Sequence, residues 1–202
     1  RYRHDDRCHG HGTFGLQPQL QLPFGDGDGQ GLHHQGYRRK RTAPESLHGK
    51  TFPGACTPYG LVQVSPNTIT GGDNAPGYSY ENEFMEGFSF LHMSGTGWYG
   101  ELGNLLTTPT NGPLKTFAGR HKELGRGYRS RYSKKDEVAE AGYYAATLTD
   151  YNVRAELTAA PHSGIIKFTF GKDTCSRIQI DLARRIGGTS TQQYVKVIDE
   201  HT

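Results

Sequence analysis

The amino-acid sequence predicts an all-β protein: an antiparallel β-sandwich of about nine strands, preceded by a disordered tail. Two observations support this fold class. Short runs of alternating apolar and polar residues are separated by Gly, Pro, Asn and Asp at intervals of about 8 to 15 positions. The 202-residue chain also contains 28 glycines and 10 prolines, too many for a protein built from long helices. Because a single open sheet would leave both faces in need of cover, two packed sheets are expected.

The predicted strands follow this alternation along the chain. In the clearest case, the odd-numbered residues from Tyr151 to Leu157 are apolar or aromatic and the residues between them are polar, which gives one buried and one solvent-facing side. Only Ser133–Ala141 reads as a short helical turn. The predicted strands are Leu61–Ser65, Gly87–Met93, Leu102–Thr107, Tyr128–Tyr132, Tyr143–Thr149, Tyr151–Thr158, Ile165–Phe170, Arg177–Leu182 and Tyr194–Ile198.

Residues 1–47 differ from the rest and are predicted to be a disordered or non-native tail ahead of a β-sandwich domain at residues 48–202. No apolar period persists in the tail, so it buries too little apolar surface to offset an ordering entropy of about 1–2 kcal/mol per residue. A metal site is the alternative for its cysteine and histidines. The run Cys8-His9-Gly10-His11 fits neither a CxxC nor an HxxxH zinc pattern, so no metal ligand is assigned in this chain.

Composition and motifs exclude several classes of function. A net charge of +3 does not require a nucleic-acid partner, and no run of roughly 18–20 apolar residues is present to span a membrane. The sequence has no GxSxG, HExxH or P-loop motif, and no GxGxxG placed after a strand and before a helix. The three cysteines are irregularly spaced and predict neither a disulfide framework nor a zinc site.

Two loops rich in Gly, aromatic and acidic residues, Gly71–Tyr78 and Ser94–Glu101, form the candidate binding region. Trp98 offers a flat apolar face, while Asp73, Asn74 and Glu101 offer hydrogen-bond acceptors. Sugars need this combination because their C–H faces stack on rings and their hydroxyl rims require polar partners. The alternative is that both loops are ordinary sandwich connections and that the single Trp fills the core.

Other polar residues are assigned structural roles. His92 lies two positions beyond Phe90 on the same predicted strand face and is expected to be a packed, hydrogen-bonded histidine. Asp136, Glu137 and Glu140 are expected to form a solvated face.

Four segments in register resemble the N-terminal region of glycoside hydrolase family 92, a family of α-mannosidases. These segments are His48–Thr68, Gly87–Gly97, Glu101–Asn104 and Glu137–Tyr144, and the similarity runs from His48 to the end of the chain. The sequence departs from the family at Gly72-Asp73-Asn74, where many members have Gly-Trp-Asp, and at Trp98-Tyr99, where they have a small residue. This suggests that the tryptophan beside the substrate has moved to Trp98.

The resemblance implies an N-terminal β-sandwich followed by a helical (α/α)6 barrel, with calcium-dependent, inverting hydrolysis of α-mannosidic bonds where the two meet. The general acid, the base and the calcium ligands would come from the barrel. No catalytic residue or metal ligand is therefore expected in this chain, and alone it should be inactive. His48, Asp73, Asn74, Trp98 and Glu101 are the expected substrate contacts.

The resemblance further implies mannose-containing glycans and a missing C-terminal catalytic domain as partners, and a secreted or periplasmic location. No nucleic acid and no membrane span are expected. The alternative to an α-mannosidase domain is a free-standing carbohydrate-binding β-sandwich module. A downstream coding sequence with several hundred residues of helical pattern would distinguish the first from the second.

Overall fold

The computed structural model describes residues 52–68, 77–80, 82–92, 102–119, 125–172, 175–186, 188–190, 192–196 and 198–199. These residues form thirteen strands and no helix. The all-β prediction is therefore confirmed. The strands are β1 (Ala55–Cys56), β2 (Gln63–Asn67), β3 (Phe84–Met85), β4 (Gly87–Ser89), β5 (Leu106–Thr110), β6 (Ser130–Arg131), β7 (Val138–Glu140), β8 (Tyr143–Leu148), β9 (Val153–Ala160), β10 (Ser163–Phe170), β11 (Arg177–Asp181), β12 (Arg184–Arg185) and β13 (Gly188–Thr189).

Two larger antiparallel sheets dominate the described part of the chain. One has five strands in the order β1-β2-β4-β5-β11, and the other has four in the order β10-β9-β8-β7. Two-stranded pairs β3-β6 and β12-β13 accompany them. The second sheet is a run of hairpins in which Tyr143 pairs with Thr158 and Ser163 pairs with Ala160, so local turns set its register.

The two larger sheets pack face to face over one hydrophobic core. The phenyl rings of Phe88 in β4 and Phe168 in β10 have centroids 5.9 Å apart and planes inclined by 47°. Aromatic pairs favour such a tilted arrangement over face-to-face stacking. The predicted alternation of β9 is realised, since Val153, Ala155 and Leu157 are at most 1% exposed. Both larger sheets supply buried residues to this core, and Met85 of β3 and Tyr132 after β6 complete it. The residues from the two larger sheets are Ala55, Val64, Phe88, Tyr144, Ala146, Leu148, Ala155 and Leu157.

The sequence predicted a helical turn at Ser133–Ala141, and this prediction is wrong. The segment contains β7, which pairs with β8 so that Glu140 faces Tyr143 across a two-residue turn. Gly142 in that turn has a φ of +74°, a left-handed conformation that glycine adopts without a Cβ penalty. Lys, Glu and Ala favour helix locally, but pairing with a strand of the buried sheet decides the outcome.

The last predicted strand, Tyr194–Ile198, is also wrong at the four described residues of that range. Residues 194–196 and 198 form no strand. Tyr194, Val195 and Ile198 are all exposed, so alternation there does not mark a buried face. Every other predicted strand overlaps an observed one, although the strand predicted at Leu102–Thr107 begins only at Leu106.

The predicted boundary between residues 47 and 48 lies outside the described residues. Within them, Cys56 is free and exposed, whereas Cys175 is disulfide-bonded, which the irregular cysteine spacing did not predict. In the part of the chain that is described, no helix has the length and apolar character needed to cross a membrane.

Candidate functional site

All five predicted sugar-contacting residues, His48, Asp73, Asn74, Trp98 and Glu101, lie outside the described residues. The structure does place the chain on both sides of each Gly-rich loop. The described residues at which the loops begin and end form the base of the candidate site.

The first loop leaves the sheet at the end of β2 and returns at Gly77. The backbone N–H of Thr68 donates a 2.9 Å hydrogen bond to the carbonyl oxygen of Gly77. The backbone N–H of Ser79 donates to the Thr68 hydroxyl at 2.8 Å, and the Asn82 amide donates to the same oxygen at 3.3 Å. These bonds close the base of the first loop on buried residues.

The second loop leaves after His92 and returns at Leu102. Gly103 donates a 2.9 Å backbone hydrogen bond to the carbonyl of Leu91, and Ile186 donates one of 2.8 Å to the carbonyl of Leu102. Ile186 follows strand β12 and is 1% exposed. The base of the second loop is thus bound to Leu91, just before the loop, and to Ile186, which is far away in the sequence.

The two loop bases meet around Asn67 and Ile186. Gly77 and Gly103 have φ values of +74° and +86°, and neither has room for a side chain. An ideal Cβ on Gly77 would lie 2.9 Å from Ile186 Cδ1 and 3.3 Å from Asn67 Oδ1, and one on Gly103 would lie 2.6 Å from Ile186 Cγ1 and 3.2 Å from Asn67 Nδ2. We call Asn67, Gly77, His92, Gly103 and Ile186 the loop junction.

His92 is packed and hydrogen-bonded, as the sequence predicted. It is 2% exposed, with Nδ1 3.0 Å from the Gln63 carbonyl oxygen and Nε2 2.6 Å from Asn67 Oδ1. The Phe52 ring lies against it, with centroids 5.7 Å apart. Burial disfavours the charged imidazolium and lowers the pKa of His92 to about 4, so the ring is neutral at physiological pH.

Ser89, His92 and Asn67 lie together, but they do not form a nucleophilic triad. Ser89 Oγ is 3.4 Å from His92 Nε2, the same nitrogen that faces Asn67, whereas a triad needs the nucleophile and the orienting group on opposite ring nitrogens. Ser89 is also completely buried, so no substrate carbon can reach its hydroxyl. The group is a structural support for the loops.

A buried ion network holds the segment that carries Ile186. Glu86 is fully buried, and the Arg184 guanidinium donates to both of its oxygens, at 3.0 Å from Nε to Oε2 and 2.8 Å from Nη2 to Oε1. Arg129 forms a second ion pair with Glu86. The Tyr128 hydroxyl donates to Asp181 at 2.7 Å, and burial together with that carboxylate raises the pKa of Tyr128. Because Glu86 directly precedes β4, its ion pair with Arg184 joins β12 to the five-stranded sheet.

A second polar cluster fixes the exit of the first loop. The hydroxyls of Tyr78 and Tyr144 donate to the same Glu137 oxygen at 2.8 and 2.7 Å, and burial raises the pKa of Tyr78. The Glu137 side chain is only 8% exposed, so the prediction of a solvated face is wrong at this residue. The Lys134 ammonium lies 4.9, 4.4 and 4.3 Å from the ring centroids of Tyr78, Tyr80 and Tyr132.

Sequence reasoning missed both networks. Glu86 and Arg184 are 98 positions apart, and Tyr78 and Glu137 are 59 apart, so no local pattern marks them as partners. The only signal was a charged residue within an otherwise apolar strand region, at Glu86.

The described residues do not form a metal centre. Among them, no three His, Cys, Asp or Glu side chains come close enough together to hold an ion. The calcium implied by the family resemblance therefore has no ligand set in this part of the chain.

Comparison with known proteins identifies the family. Residues 39–202 match the glycosyl hydrolase family 92 N-terminal domain, so the match begins ahead of residue 48. The structure resembles the family GH92 α-mannosidase BT3965 from Bacteroides thetaiotaomicron, with 40% identity, a TM-score of 0.67, and coverage of 70% of this chain and 19% of that one. The same enzyme in complex with mannoimidazole gives 41% identity, a TM-score of 0.66, and coverage of 69% and 18%.

Two further relatives agree. The GH92 family glycosyl hydrolase ccman5 is 30% identical with a TM-score of 0.57, over 68% of this chain and 19% of that one. An uncharacterized secreted glycosidase from Arthroderma benhamiae is 29% identical over 131 residues, which is 60% of this chain and 16% of its own length. The chain thus spans less than a fifth of the length of these relatives. It belongs to glycoside hydrolase family 92, of which it carries the N-terminal domain.

Proposed function

We propose that this chain is the N-terminal, carbohydrate-contacting domain of an exo-α-mannosidase, in which the two Gly-rich loops form one wall of the sugar site. The observation that carries the proposal is the convergence of both loop bases on Asn67 and Ile186. Two loops that start from one rigid junction can present their side chains to a single ligand. Family membership supplies the class of ligand, and the similarity to an α-mannosidase supports mannosides.

Within this proposal, Trp98 stacks on a sugar face, and His48, Asp73, Asn74 and Glu101 bind hydroxyls. The full-length protein hydrolyses α-mannosidic bonds in mannose-containing glycans with inversion and depends on calcium. Its general acid, its base and its calcium ligands belong to a C-terminal catalytic domain. The label of the Arthroderma relative as secreted supports export of the full-length protein.

Binding of methyl α-mannoside to the isolated chain, followed by chemical shift changes of its amides, tests the sugar-contacting role. We expect a saturable response in the millimolar range. Trp98→Ala should weaken it about tenfold, which corresponds to about 1.4 kcal/mol. Tyr59→Ala is the matched control, because Tyr59 is a fully exposed aromatic residue outside both loops. No saturable response, or equal losses in the two variants, would contradict the proposed binding wall.

Incubation of the chain with an aryl α-mannoside and with mannobiose tests the division of labour. Hydrolysis should not exceed that in buffer. Turnover that disappears when an acidic residue of this chain is replaced would show that the chain itself carries the catalytic acid or base.

A further inference from the structure

We propose that Asn67 is a positioning residue that couples the bases of the two loops, so that sugar binding by either loop depends on the placement of the other. The inference rests on the proposed function for its role in sugar binding. The coupling itself can be measured without a ligand.

The backbone of Asn67 belongs to the first loop. It ends strand β2, and its carbonyl oxygen accepts a 2.6 Å hydrogen bond from the N–H of Glu86. The next residue, Thr68, makes the bond that closes the loop on Gly77. Movement of Asn67 would therefore move the first loop base.

The side chain of Asn67 reaches the second loop. It is completely buried, and its carboxamide faces His92 Nε2 and Ser89 Oγ at 2.6 and 3.2 Å. Its other end lies against Gly103, where an added Cβ would be 3.2 Å from Asn67 Nδ2. The Asn67 side chain thus contacts both ends of the second loop, His92 before it and Gly103 after it.

The hydrogen-bonding pattern requires an amide at this position. His92 Nδ1 faces the Gln63 carbonyl, which can only accept, so in a neutral ring Nδ1 carries the proton and Nε2 is an acceptor. Asn67 Oδ1 also only accepts, and Asn67 Nδ2 has no hydrogen-bond partner among the described residues. A 180° rotation of the amide, which exchanges the two ends, lets Nδ2 donate to Nε2 and resolves the conflict. Leu lacks that donor.

Asn67→Leu removes the coupling group and keeps a similar volume. Asn111→Leu is the matched control, because the Asn111 amide donates a 2.6 Å hydrogen bond to the Tyr151 carbonyl away from the loop junction. The readout is amide hydrogen exchange at Thr68 and Gly103, the donors that close the first and second loop bases. We expect both amides to exchange at least about tenfold faster in Asn67→Leu and neither to change in Asn111→Leu.

Methyl α-mannoside affinity, measured on the same variants, links the coupling to sugar binding. It should fall about tenfold in Asn67→Leu and stay unchanged in Asn111→Leu. If Asn67→Leu fails to fold, Asn67→Ala, which removes the carboxamide and adds no bulk, carries the same readouts.

Unchanged exchange at either Thr68 or Gly103 would overturn the coupling. Faster exchange at both, with wild-type affinity for the mannoside, would overturn its role in sugar binding. If the wild-type chain binds no mannoside, the proposed function fails and the role in sugar binding fails with it, while hydrogen exchange still decides whether Asn67 joins the loops.

Discussion

Gly103→Ala tests the geometry of the loop junction most directly. The new methyl group would lie 2.6 Å from Ile186 Cγ1 and 3.1 Å from the backbone nitrogen of Ile186. The first separation is far shorter, and the second a few tenths of an ångström shorter, than the roughly 3.5–4.0 Å of an ordinary van der Waals contact. Because one of the atoms belongs to the backbone, a change of side-chain rotamer cannot relieve the whole clash.

The expected loss of stability has two parts. A φ of +86° costs a residue with a Cβ roughly 1–2 kcal/mol relative to glycine. Overpacking against a buried side chain and its backbone adds about 1–3 kcal/mol. The free energy of unfolding should therefore fall by about 2–5 kcal/mol, a large share of the stability of a small domain.

Gly112→Ala separates the two parts. Gly112 has a φ of +70°, and a Cβ added there would meet no atom within 4 Å. It therefore bears only the conformational cost, about 1–2 kcal/mol. Urea denaturation of both variants and of the wild type, followed by far-ultraviolet circular dichroism, gives the two differences in unfolding free energy.

A double-mutant cycle then assigns the clash to Ile186. Ile186→Ala removes Cγ1 but leaves the backbone nitrogen 3.1 Å from the new methyl group, so in that background Gly103→Ala should cost less than in the wild type but still more than Gly112→Ala. Equal costs for Gly103→Ala and Gly112→Ala in the wild type would refute the packing of Ile186 against the second loop base.

Three further perturbations probe the network, the histidine and the core. Glu86→Gln should cost about 3–5 kcal/mol, because it leaves buried arginine charge unpaired. Glu156→Gln, which breaks the solvent-screened 3.0 Å pair with Lys167, should cost much less; urea denaturation that ranks the two variants the other way would contradict the network. Since His92 has a folded pKa of about 4 and an unfolded pKa near 6.5, the folded protein binds fewer protons between these values, so stability is lost as pH falls through this window, by at most about 3 kcal/mol. His92→Gln should flatten that part of the pH profile of unfolding, and an unchanged profile would show that His92 is not buried as a neutral ring. Leu157→Ala should cost about 2–5 kcal/mol and Ile165→Ala less than about 0.5, because the first is 1% and the second 65% exposed; similar melting temperatures would contradict the sandwich core.

The sequence predicts those parts of the fold that depend on neighbouring residues. Strands β9 and β10 alternate over eight residues each, and their hairpin places the alternating apolar residues on one face. The strand conformation within Ser133–Ala141 was not predictable in this way, because the composition of the segment favours helix and only the folded chain supplies β8 as a strand partner. Short strands such as β1 and β12 carry too few residues to show a period.

The candidate site was predictable only in part. The sequence indicates two Gly-rich loops and a packed histidine at position 92, because glycine content and strand phase are local features. It does not show that Gly77 and Gly103 pack on the same Asn67 and Ile186, since Ile186 lies more than eighty positions beyond either glycine. Only the folded chain reveals why those two glycines are required.

The carboxylates near the loop junction show what this part of the domain can offer a sugar. The Glu86 oxygens are bound by Arg184 and Arg129, and Glu137 accepts from Tyr78 and Tyr144. Inverting hydrolysis needs a protonated acid and a base roughly 6.5–9.5 Å apart, both free to reach the glycosidic oxygen or a water. The Glu86 oxygens are held by guanidinium groups, and Glu137 has one oxygen held by two phenols and the other 3.5 Å from the Lys134 ammonium, so neither carboxylate is free to act in that pair. These two acids therefore stabilise the platform from which the loops start, and neither fits the role of acid or base in the proposed hydrolysis.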